Sequence, residues 1–375
     1  MFNIWLNRAT LEGMYLLELT RRFVFYRNTN RREIRQHQLA FYKRIWQEAA
    51  QRLGASWESI GRQIAEIDLN GCRTRVCEYT SEIDSSVTCA LLHEKPLVHQ
   101  ILQQHALPVP RHASFALHHV APAVEFLRSA AGCCVVKPAN GGAGRGVTTG
   151  IRRRRDLARA IAVAAAYGND LMIEEQIQGD NYRLLYLDGQ LIDAFVRRPP
   201  SVIGDGRSSV AALVRRANEQ RLEERDALSQ VLIPKDFDMR QTLGRQGLSL
   251  RSVPAEGRVV TLKTVVNDNS GLDNSTVTHL LHPAIVEAGR QAVEALRVRF
   301  AGIDVITPNP AVSLADCGGV ILEVNSPPGL YYHYHKRDGA FPAAYYVLKR
   351  LLAEDSPAHP REHVAVANQL EGTLA

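Results

Sequence analysis

A glycine-rich loop that follows an apolar run most constrains how this chain can fold. The run CCVVKPA carries Lys137, and four of the six positions from Gly141 to Gly146 are glycine. Glycine has no Cβ atom, so backbone N–H groups can approach an anion closely. The spacing fits neither G-x-G-x-x-G nor a Walker sequence, and the following VTTGI reads as a strand rather than a helix. We therefore predict a strand–loop–strand hairpin that folds over phosphates as a lid; the alternative is a plain glycine-rich turn.

The rest of the sequence alternates between helical and strand patterns. DLMIEEQIQG, NYRLLYLDG and QLIDAFVRR predict successive strands with a turn at Asp188-Gly189, and VVTLKTVVN reads as another strand. HPAIVEAGRQAVEALRVRF has the apolar spacing of a helix and precedes two final strands, AGIDVIT and GGVILEVNS. Residues 1–65 read as mostly helical, whereas IAEIDLNG, CRTRVCEYT and SSVTCALL read as short strands around Asn70-Gly71. The predicted fold class is α/β (α+β).

These patterns divide the chain into four segments. An N-terminal region precedes the segment with the glycine-rich loop, a third segment holds the last strands and a closing helix at 340–353, and a polar, flexible tail ends the chain. The predicted boundaries are 1–92, 93–175, 176–355 and 356–375.

The composition excludes several classes of protein. With 45% hydrophobic and 22% charged residues, the 375-residue chain has the composition of a globular protein. Its six cysteines are too sparse for a disulfide framework and show no zinc-ligand spacing, so we expect a cytoplasmic location. The net charge of +6 predicts no nucleic-acid binding. No apolar run reaches the roughly 18 residues of a membrane span.

The N-terminal stretch is apolar but is interrupted by Arg8, Glu12 and Glu18. It lacks a signal-peptide core followed by a cleavage site. We interpret it as a docking helix at a domain or subunit interface, which leaves a homodimer open; an amphipathic membrane helix is the alternative.

Two carboxylates and an amide lie on two strands near the C-terminus. Strand alternation puts Glu323 and Asn325 on one face and the apolar Leu322 and Val324 on the other, and it turns Asp304 away from its apolar neighbours. If the two strands pair, these oxygen ligands converge and suit Mg²⁺, with phosphates completing its shell. The alternative, a solvated polar face, is disfavoured by the apolar surroundings.

The segment LMIEEQIQG predicts a hinge that could bind adenine. An edge strand of this kind offers backbone groups to the base, and its aliphatic side chains can sandwich the ring. Taken alone, Glu174, Glu175 and Ile177 also fit any amphipathic strand.

The order of these motifs resembles that of the ATP-grasp superfamily of carboxylate–amine ligases. A lysine opens a helix (Lys95), a second lysine precedes the glycine-rich loop, a Glu-Glu hinge follows, and Asp…Glu-x-Asn ends the series. The chain is most similar to the ATP-grasp part of cyanophycin synthetases, through KPANGGAGRGV, GDNYRLLYLDG, RRPPSVIGDGRSSVAALV, THLLHP, GIDVI and EVNSPPGLYYH. The resemblance covers residues 85–350 and extends, more distantly, to D-alanine–D-alanine ligases and glutathione synthetases. It implies an ATP-grasp fold with a glycine-rich lid subdomain and a helical N-terminal region.

The resemblance also implies a role for each matching residue. The residues expected to bind ATP are Lys95, Lys137, Gly141, Gly142, Gly144, Arg145, Gly146, Glu174, Glu175, Ile177, Asp180 and Asn181. The residues expected to bind two Mg²⁺ ions, or Mn²⁺, are Asp304, Glu323 and Asn325. The other candidates come from the residues themselves, because cationic side chains suit carboxylates and a developing oxyanion. The residues expected to act in catalysis are Arg183, Arg251, Lys263 and Asn267, and those expected to bind substrate are Arg197, Arg198 and His333, which follows the metal motif.

Three departures from the family pattern stand out. Asn181, beside Asp180, takes the place of the acidic ribose ligand, and Lys263 takes the place of a strand arginine. The Mur-ligase-like domain of cyanophycin synthetases has no counterpart in the sequence, so we expect one amide bond per cycle rather than polymerisation.

The reaction implied is the ATP-dependent joining of a small-molecule carboxylate to an amine. The carboxylate would attack the γ-phosphorus of ATP, and the resulting acyl phosphate would be attacked by the amine. A phosphotransferase and a nucleotide-binding regulatory protein are the alternatives. The intact set of lysine, glycine and acidic residues disfavours the regulatory protein.

Overall fold

The computed structural model describes residues 8–27, 31–142, 144–223, 232–266 and 269–354. Its helices are α1 (Arg8–Arg27), α2 (Arg31–Leu53), α3 (Ser86–His93), α4 (Lys95–Gln104), α5 (Ala121–Ser129), α6 (Arg154–Ala165), α7 (Val210–Glu223), α8 (Phe237–Arg245), α9 (Pro283–Ala295), α10 (Leu314–Cys317), α11 (Tyr331–Tyr334) and α12 (Ala343–Glu354). Its strands are β1 (Ser56–Ser59), β2 (Ile64–Leu69), β3 (Cys72–Cys77), β4 (Thr80–Ser81), β5 (His112–Ala116), β6 (Cys134–Pro138), β7 (Thr148–Ile151), β8 (Asp170–Glu175), β9 (Asp180–Leu187), β10 (Gln190–Arg197), β11 (Ser201–Ile203), β12 (Val259–Thr261), β13 (Ser275–Thr276), β14 (Phe300–Thr307) and β15 (Val320–Asn325). Across these ranges the strands form sheets ordered β1-β2-β3-β4, β5-β8-β6-β7, β13-β10-β9-β14-β15 and β11-β12.

The largest of these sheets has five strands, is antiparallel and is here called the central sheet. β9 pairs with β10 on one side and with β14 on the other, and β15 pairs with β14. Asp188 and Gly189 both have positive φ, at 47° and 76°, as a tight hairpin turn requires, which confirms the predicted turn. The predicted helix α9 covers this sheet, and its Gly289 faces Tyr186, whose hydroxyl lies 2.2 Å from where a Cβ atom would stand.

A second sheet carries the glycine-rich loop. β6 and β7 pair antiparallel on either side of the loop, which confirms the predicted strand–loop–strand hairpin. Helix α6 packs on this sheet with a fully buried apolar face that includes Leu157 and Ile161. The N-terminal helix α1 adds Leu11, which is 2% exposed, to the same apolar cluster.

The N-terminal sheet confirms one prediction and corrects two. Asn70 and Gly71, with φ of 55° and 88°, connect β2 to β3 as predicted. The helical region ends at Leu53 rather than near residue 65, and the next residues form the edge strand β1 paired with β2. SSVTCALL forms the helix α3 and not a strand, because the Ser85 hydroxyl caps the helix by accepting the Thr88 N–H at 3.1 Å.

Residues 200–262, here called the inserted module, leave the central sheet after β10. The described part of the module packs β11, β12, α7 and α8 around an apolar cluster of its own. The Leu262 N–H donates to the Pro200 carbonyl at 2.8 Å, so the two ends of the module are adjacent. The strand predicted over VVTLKTVVN is shorter than expected, because only Val259–Thr261 pairs with β11.

The last described element is the predicted closing helix, α12, which packs on α2 around a core that includes Trp46 and Leu348. The tail predicted over 356–375 lies outside the described residues. None of the described helices combines the length and the apolar character needed to cross a membrane.

Candidate functional site

A cleft with a volume of about 340 Å³ opens between the sheet with the glycine-rich loop, the central sheet and the chain that follows the inserted module. Most of the residues predicted from sequence line it. They are Lys95, Lys137, Gly141, Gly142, Gly144, Arg145, Glu174, Glu175, Ile177, Asp180, Asn181, Arg197, Lys263, Asp304 and Glu323. Basic and acidic side chains from distant parts of the sequence therefore share one cavity.

Other predicted residues lie outside this lining. They are Gly146, Arg183, Arg198, Arg251, Asn325 and His333. Asn267 belongs to the residues that the structure leaves undescribed.

Lys95 joins three parts of the cleft. It is the first residue of α4, and its ammonium donates to the Gly141 carbonyl and lies 3.2 Å from Glu323 Oε1. Beside it, Asn140 Nδ2 donates to Glu94 Oε1 at 2.9 Å. The start of α4 therefore holds the glycine-rich loop and one predicted metal ligand at the same point.

Lys137 and Glu174 form a buried ion pair on neighbouring strands. Lys137 Nζ lies 2.8 Å from Glu174 Oε1, and the two side chains are 8% and 3% exposed. Glu174 Oε2 is buried without a hydrogen-bond partner among the described residues. The cleft therefore contains a lysine held by a carboxylate that has acceptor capacity left.

The glycine-rich loop uses its glycines in two ways. Gly144 and Gly146 have positive φ, at 66° and 75°, which favours glycine. At Gly146 a Cβ atom would lie 2.9 Å from the Tyr167 ring, so this glycine packs inward instead of facing the cleft. Arg145 is exposed at the loop and lines the cleft.

Asp304 is 3% exposed and is bound by two arginines. Arg183 reaches it with Nε at 2.6 Å and Nη2 at 3.0 Å, and Arg197 Nη1 lies at 3.3 Å. Burial alone would raise the pKa of Asp304, but the two guanidinium groups hold it below its ordinary value. Gly302 leaves room for this arrangement, because a Cβ atom there would lie 2.7 Å from Arg183 Nη1.

A β-bulge brings Glu323 opposite Asp304. The register pairs Asp304 with Glu323 and then Val305 with Ile321, so Leu322 is an extra residue in β15. The strict alternation predicted for this strand is therefore wrong at Leu322, which lines the cleft beside Glu323.

Asn325, at the end of β15, donates through Nδ2 to the Gly302 carbonyl at 3.4 Å. Asn325 is on the same strand as Glu323, but it does not line the cleft.

The donor set suits a hard divalent ion that is completed by a ligand. Asp304 and Glu323 line the cleft with carboxylate oxygens, which in this structure are bound by Arg183 and Arg197 at Asp304 and paired with Lys95 at Glu323. Among the described residues no three His, Cys, Asp or Glu side chains group together as a full metal cage. Mg²⁺ is typically held by one or two carboxylates plus phosphate oxygens, so the residues present fit this ion.

Lys263 lies where the chain leaves the inserted module. It is 3% exposed and its Nζ is 2.5 Å from Asp236 Oδ2. Asp236 also caps α8 by accepting the Met239 N–H at 3.0 Å. Asp238, whose pKa is raised by burial, accepts the Thr264 hydroxyl at 2.8 Å. Two acidic residues therefore hold this wall of the cleft.

The remaining predicted residues have other surroundings. His333 is fully buried, with Nδ1 2.6 Å from Asp193, which also binds Lys336 at 2.7 Å; burial lowers the pKa of this histidine. Arg198 is 57% exposed in its side chain and lies 4.0 Å from Asp180. Arg251 is exposed on a turn.

Sequence reasoning missed several residues that support the cleft. Asp236 is the N-cap of α8 and Asp238 lies in its first turn. The pattern Asp-x-Asp is typical of a helix start and could have identified both residues from the sequence. His99, buried on α4, and Thr149, bound to Thr264 at 2.7 Å, gave no local signal because their partners are far away in sequence.

Comparison with known proteins adds the family. No family model matches the chain. It is 30% identical over 249 residues to a cyanophycin synthetase of Nostoc sp., covering 66% of this chain and 27% of that protein. It is 26% identical over 255 residues to the glutathione biosynthesis bifunctional protein GshAB of Clostridium perfringens, covering 67% and 32%. The crystal structure of a bifunctional glutathione synthetase from Pasteurella multocida matches with a TM-score of 0.53 and 22% identity, covering 82% of this chain and 43% of that chain.

The fold is the mixed α/β ATP-grasp fold, and the sequence is similar to members of the ATP-grasp superfamily. Within it, the sequence lies near the cyanophycin synthetases, which confirms the resemblance inferred from the motifs. The chain spans about a quarter to a third of the length of the two curated relatives, at 27% and 32%.

Proposed function

We propose that the chain is an ATP-dependent carboxylate–amine ligase of a biosynthetic pathway. It would join an amino acid or small peptide to an amine and release ADP and phosphate. The observation that carries the proposal is the meeting of Lys95 and Glu323 below the glycine-rich loop, in a cleft that also holds Lys137 and Asp304. Cations for a triphosphate and oxygen ligands for a divalent ion then share one cavity.

The nucleotide would lie along the cleft. Its phosphates would bind the two lysines and the backbone amides of the glycine-rich loop. Glu174, Glu175 and Ile177 would bind adenine, and Asp180 with Asn181 would bind the ribose; all five line the cleft.

Two Mg²⁺ ions, or Mn²⁺ in their place, would be held by Asp304 and Glu323 with Asn325. When bound, the ions would neutralise charge on the transferring phosphoryl group. Lys95 pairs with Glu323 in this structure and would bind a phosphate oxygen once nucleotide is present.

The reaction would proceed in two transfers. A substrate carboxylate oxygen attacks the γ-phosphorus, the bond to ADP breaks, and an acyl phosphate forms. The amine then attacks the acyl carbon, loses a proton and expels phosphate. Arg197 and Lys263 line the cleft, where Arg197 would position the carboxylate and Lys263 would stabilise the oxyanion. Arg183 would hold Asp304 in place. Arg251 and His333 have no part in this scheme, because one is exposed on a turn and the other is fully buried.

The test is a matrix of amino acids, small carboxylates and amines, read as ADP release with product masses. We expect ADP only when a carboxylate and an amine are both present, with a product equal to their sum less water. Lys137→Met should abolish release, whereas Lys349→Met, on the exposed surface of α12, should not. ADP release without an amine would indicate a phosphotransferase, and binding without turnover a regulatory protein.

A further inference from the structure

The bulge at Leu322 has a partner on α4. His99 Nε2 lies 3.0 Å from the Leu322 carbonyl, although the residues are 223 positions apart. Lys95, one helical turn before His99, lies 3.2 Å from the carboxylate of the next residue, Glu323. One face of α4 therefore contacts the bulge twice, once at the main chain and once at the side chain.

The direction of the hydrogen bond from His99 follows from its partner. A backbone carbonyl can only accept, so Nε2 carries the proton and donates it. His99 is 1% exposed, and burial together with the charge of Lys137 lowers its pKa to about 3, so the ring is neutral and Nδ1 is an acceptor. His112 Nδ1 lies 3.4 Å from that acceptor and 3.3 Å from the Pro110 carbonyl. These contacts set one orientation of the imidazole.

The bulge interrupts the regular pairing of β15 with β14. An extra residue in a bulged strand is left out of the regular pairing, so its backbone needs another partner. His99 supplies a donor at that residue, and the donor sits on a helix packed into the core with Val98 and Leu102.

We propose that His99 is a positioning residue for Glu323. By binding the Leu322 carbonyl it fixes the bulged backbone, and the fixed backbone directs the Glu323 carboxylate toward the cleft. This inference rests on the proposed role of Glu323 as a metal ligand. Partners that orient a ligand in this way typically change metal affinity by about tenfold to about 100-fold when removed.

The test measures nucleotide binding, not activity. Calorimetric titrations with ATP at increasing Mg²⁺ concentration measure how the ATP affinity depends on Mg²⁺. They give the Mg²⁺ concentration at which half of the Mg²⁺-induced gain in affinity is reached. In His99→Leu we expect this concentration to rise by about tenfold or more. His99→Gln keeps an N–H donor and should lie near wild type. His105→Gln, which changes an exposed histidine at the C-terminal end of α4, is the matched control.

The outcomes separate this proposal from the function it rests on. If wild-type protein binds no ATP, or Glu323→Ala keeps full Mg²⁺ dependence, the proposed function fails. If those two behave as expected but His99→Leu shows the wild-type Mg²⁺ dependence, His99 is not a positioning residue. If His99→Leu does not fold, His99→Met is measured in its place. If neither variant folds, His99 serves stability alone and the proposal is overturned.

Discussion

Asp304 shows how much a single residue can depend on its surroundings. Its carboxylate is almost fully buried and lies against the guanidinium groups of Arg183 and Arg197. A buried charge is tolerated only when it is paired, and removing one member leaves the others uncompensated. The residue is therefore important for the stability of the central sheet independently of any role toward a metal.

Asp304→Asn should lower the free energy of unfolding by about 3–5 kcal/mol at neutral pH, because two buried cations lose their counter-charge. The folded-state pKa of Asp304 is depressed, so its contribution is present above the unfolded value of about 3.9 and is lost as the pH falls through the folded value. The difference between wild type and variant should therefore shrink in acid. Urea unfolding at neutral pH and at about pH 3 measures the difference in free energy of unfolding between wild type and Asp304→Asn. The same difference at both pH values would contradict the ion-pair account.

Glu323→Ala should abolish turnover and leave the fold intact. Glu323 is partly exposed at the cleft, so its loss removes little packing, whereas losing a metal ligand costs several kcal/mol of transition-state stabilisation. Turnover and circular dichroism are compared with those of Glu125→Ala, an exposed carboxylate on α5. Normal turnover in a folded Glu323→Ala protein would rule out the metal assignment.

Among the secondary-structure elements, some follow from local sequence patterns, whereas others depend on contacts between residues far apart in the sequence. The hairpin at Asn70-Gly71 and the strands around the glycine-rich loop follow from turn chemistry and apolar patterning, so sequence alone was enough. The segment SSVTCALL was wrongly predicted because its β-branched and apolar residues suit a strand, while the hydroxyl of Ser85 favours a helix start. The bulge at Leu322 depends on the register of β14, which no local pattern in β15 records.

Ser85→Ala should lower the free energy of unfolding by about 1 kcal/mol, because the first turn of α3 loses its side-chain cap. Ser85→Asp should restore most of it, since aspartate caps equally well. Chemical denaturation of these variants is compared with Ser86→Ala, the exposed neighbour inside the helix. A Ser85→Ala protein as stable as Ser86→Ala would contradict the capping account.

The glycine-rich hairpin should respond to nucleotide. A loop that covers phosphates must open to release product, so trypsin cleavage after Arg145 should slow when ATP and Mg²⁺ are added. Cleavage after Arg207, an exposed residue of the inserted module outside the cleft lining, serves as the internal control. Equal cleavage at Arg145 with and without nucleotide would indicate a rigid turn.

At the scale of the whole molecule, the cleft is where separate apolar clusters meet. The second sheet, the central sheet and the inserted module each have their own cluster of buried residues. The candidate site was predictable because its motifs are short and ordered along the chain. Contacts such as Lys263 with Asp236, or His99 with Leu322, were not, because they arise only when those clusters are assembled.

Bound ATP should therefore stabilise the assembled chain. At a concentration 100 times its dissociation constant, a ligand adds about 2.7 kcal/mol to the free energy of unfolding. Thermal unfolding with ATP and Mg²⁺ should show a higher midpoint than with Mg²⁺ alone, and Lys137→Met should lose this shift. A midpoint that does not change for wild type would argue against a nucleotide site.

The adjacent ends of the inserted module have a consequence for how such a protein can diversify. Because the Leu262 N–H donates to the Pro200 carbonyl, the chain enters and leaves the module at adjacent positions, and the cost of closing a chain between two such ends grows only slowly with its length. The module also has its own apolar cluster, so another sequence of similar attachment could fold in its place. Lys137, Asp304 and Glu323 lie outside it. Recombination at these two positions would thus exchange the module together with Asp236 and Asp238, which contact Lys263 and Thr264 at the cleft, and chimaeras joined there would test whether the module selects the acceptor of the proposed ligase.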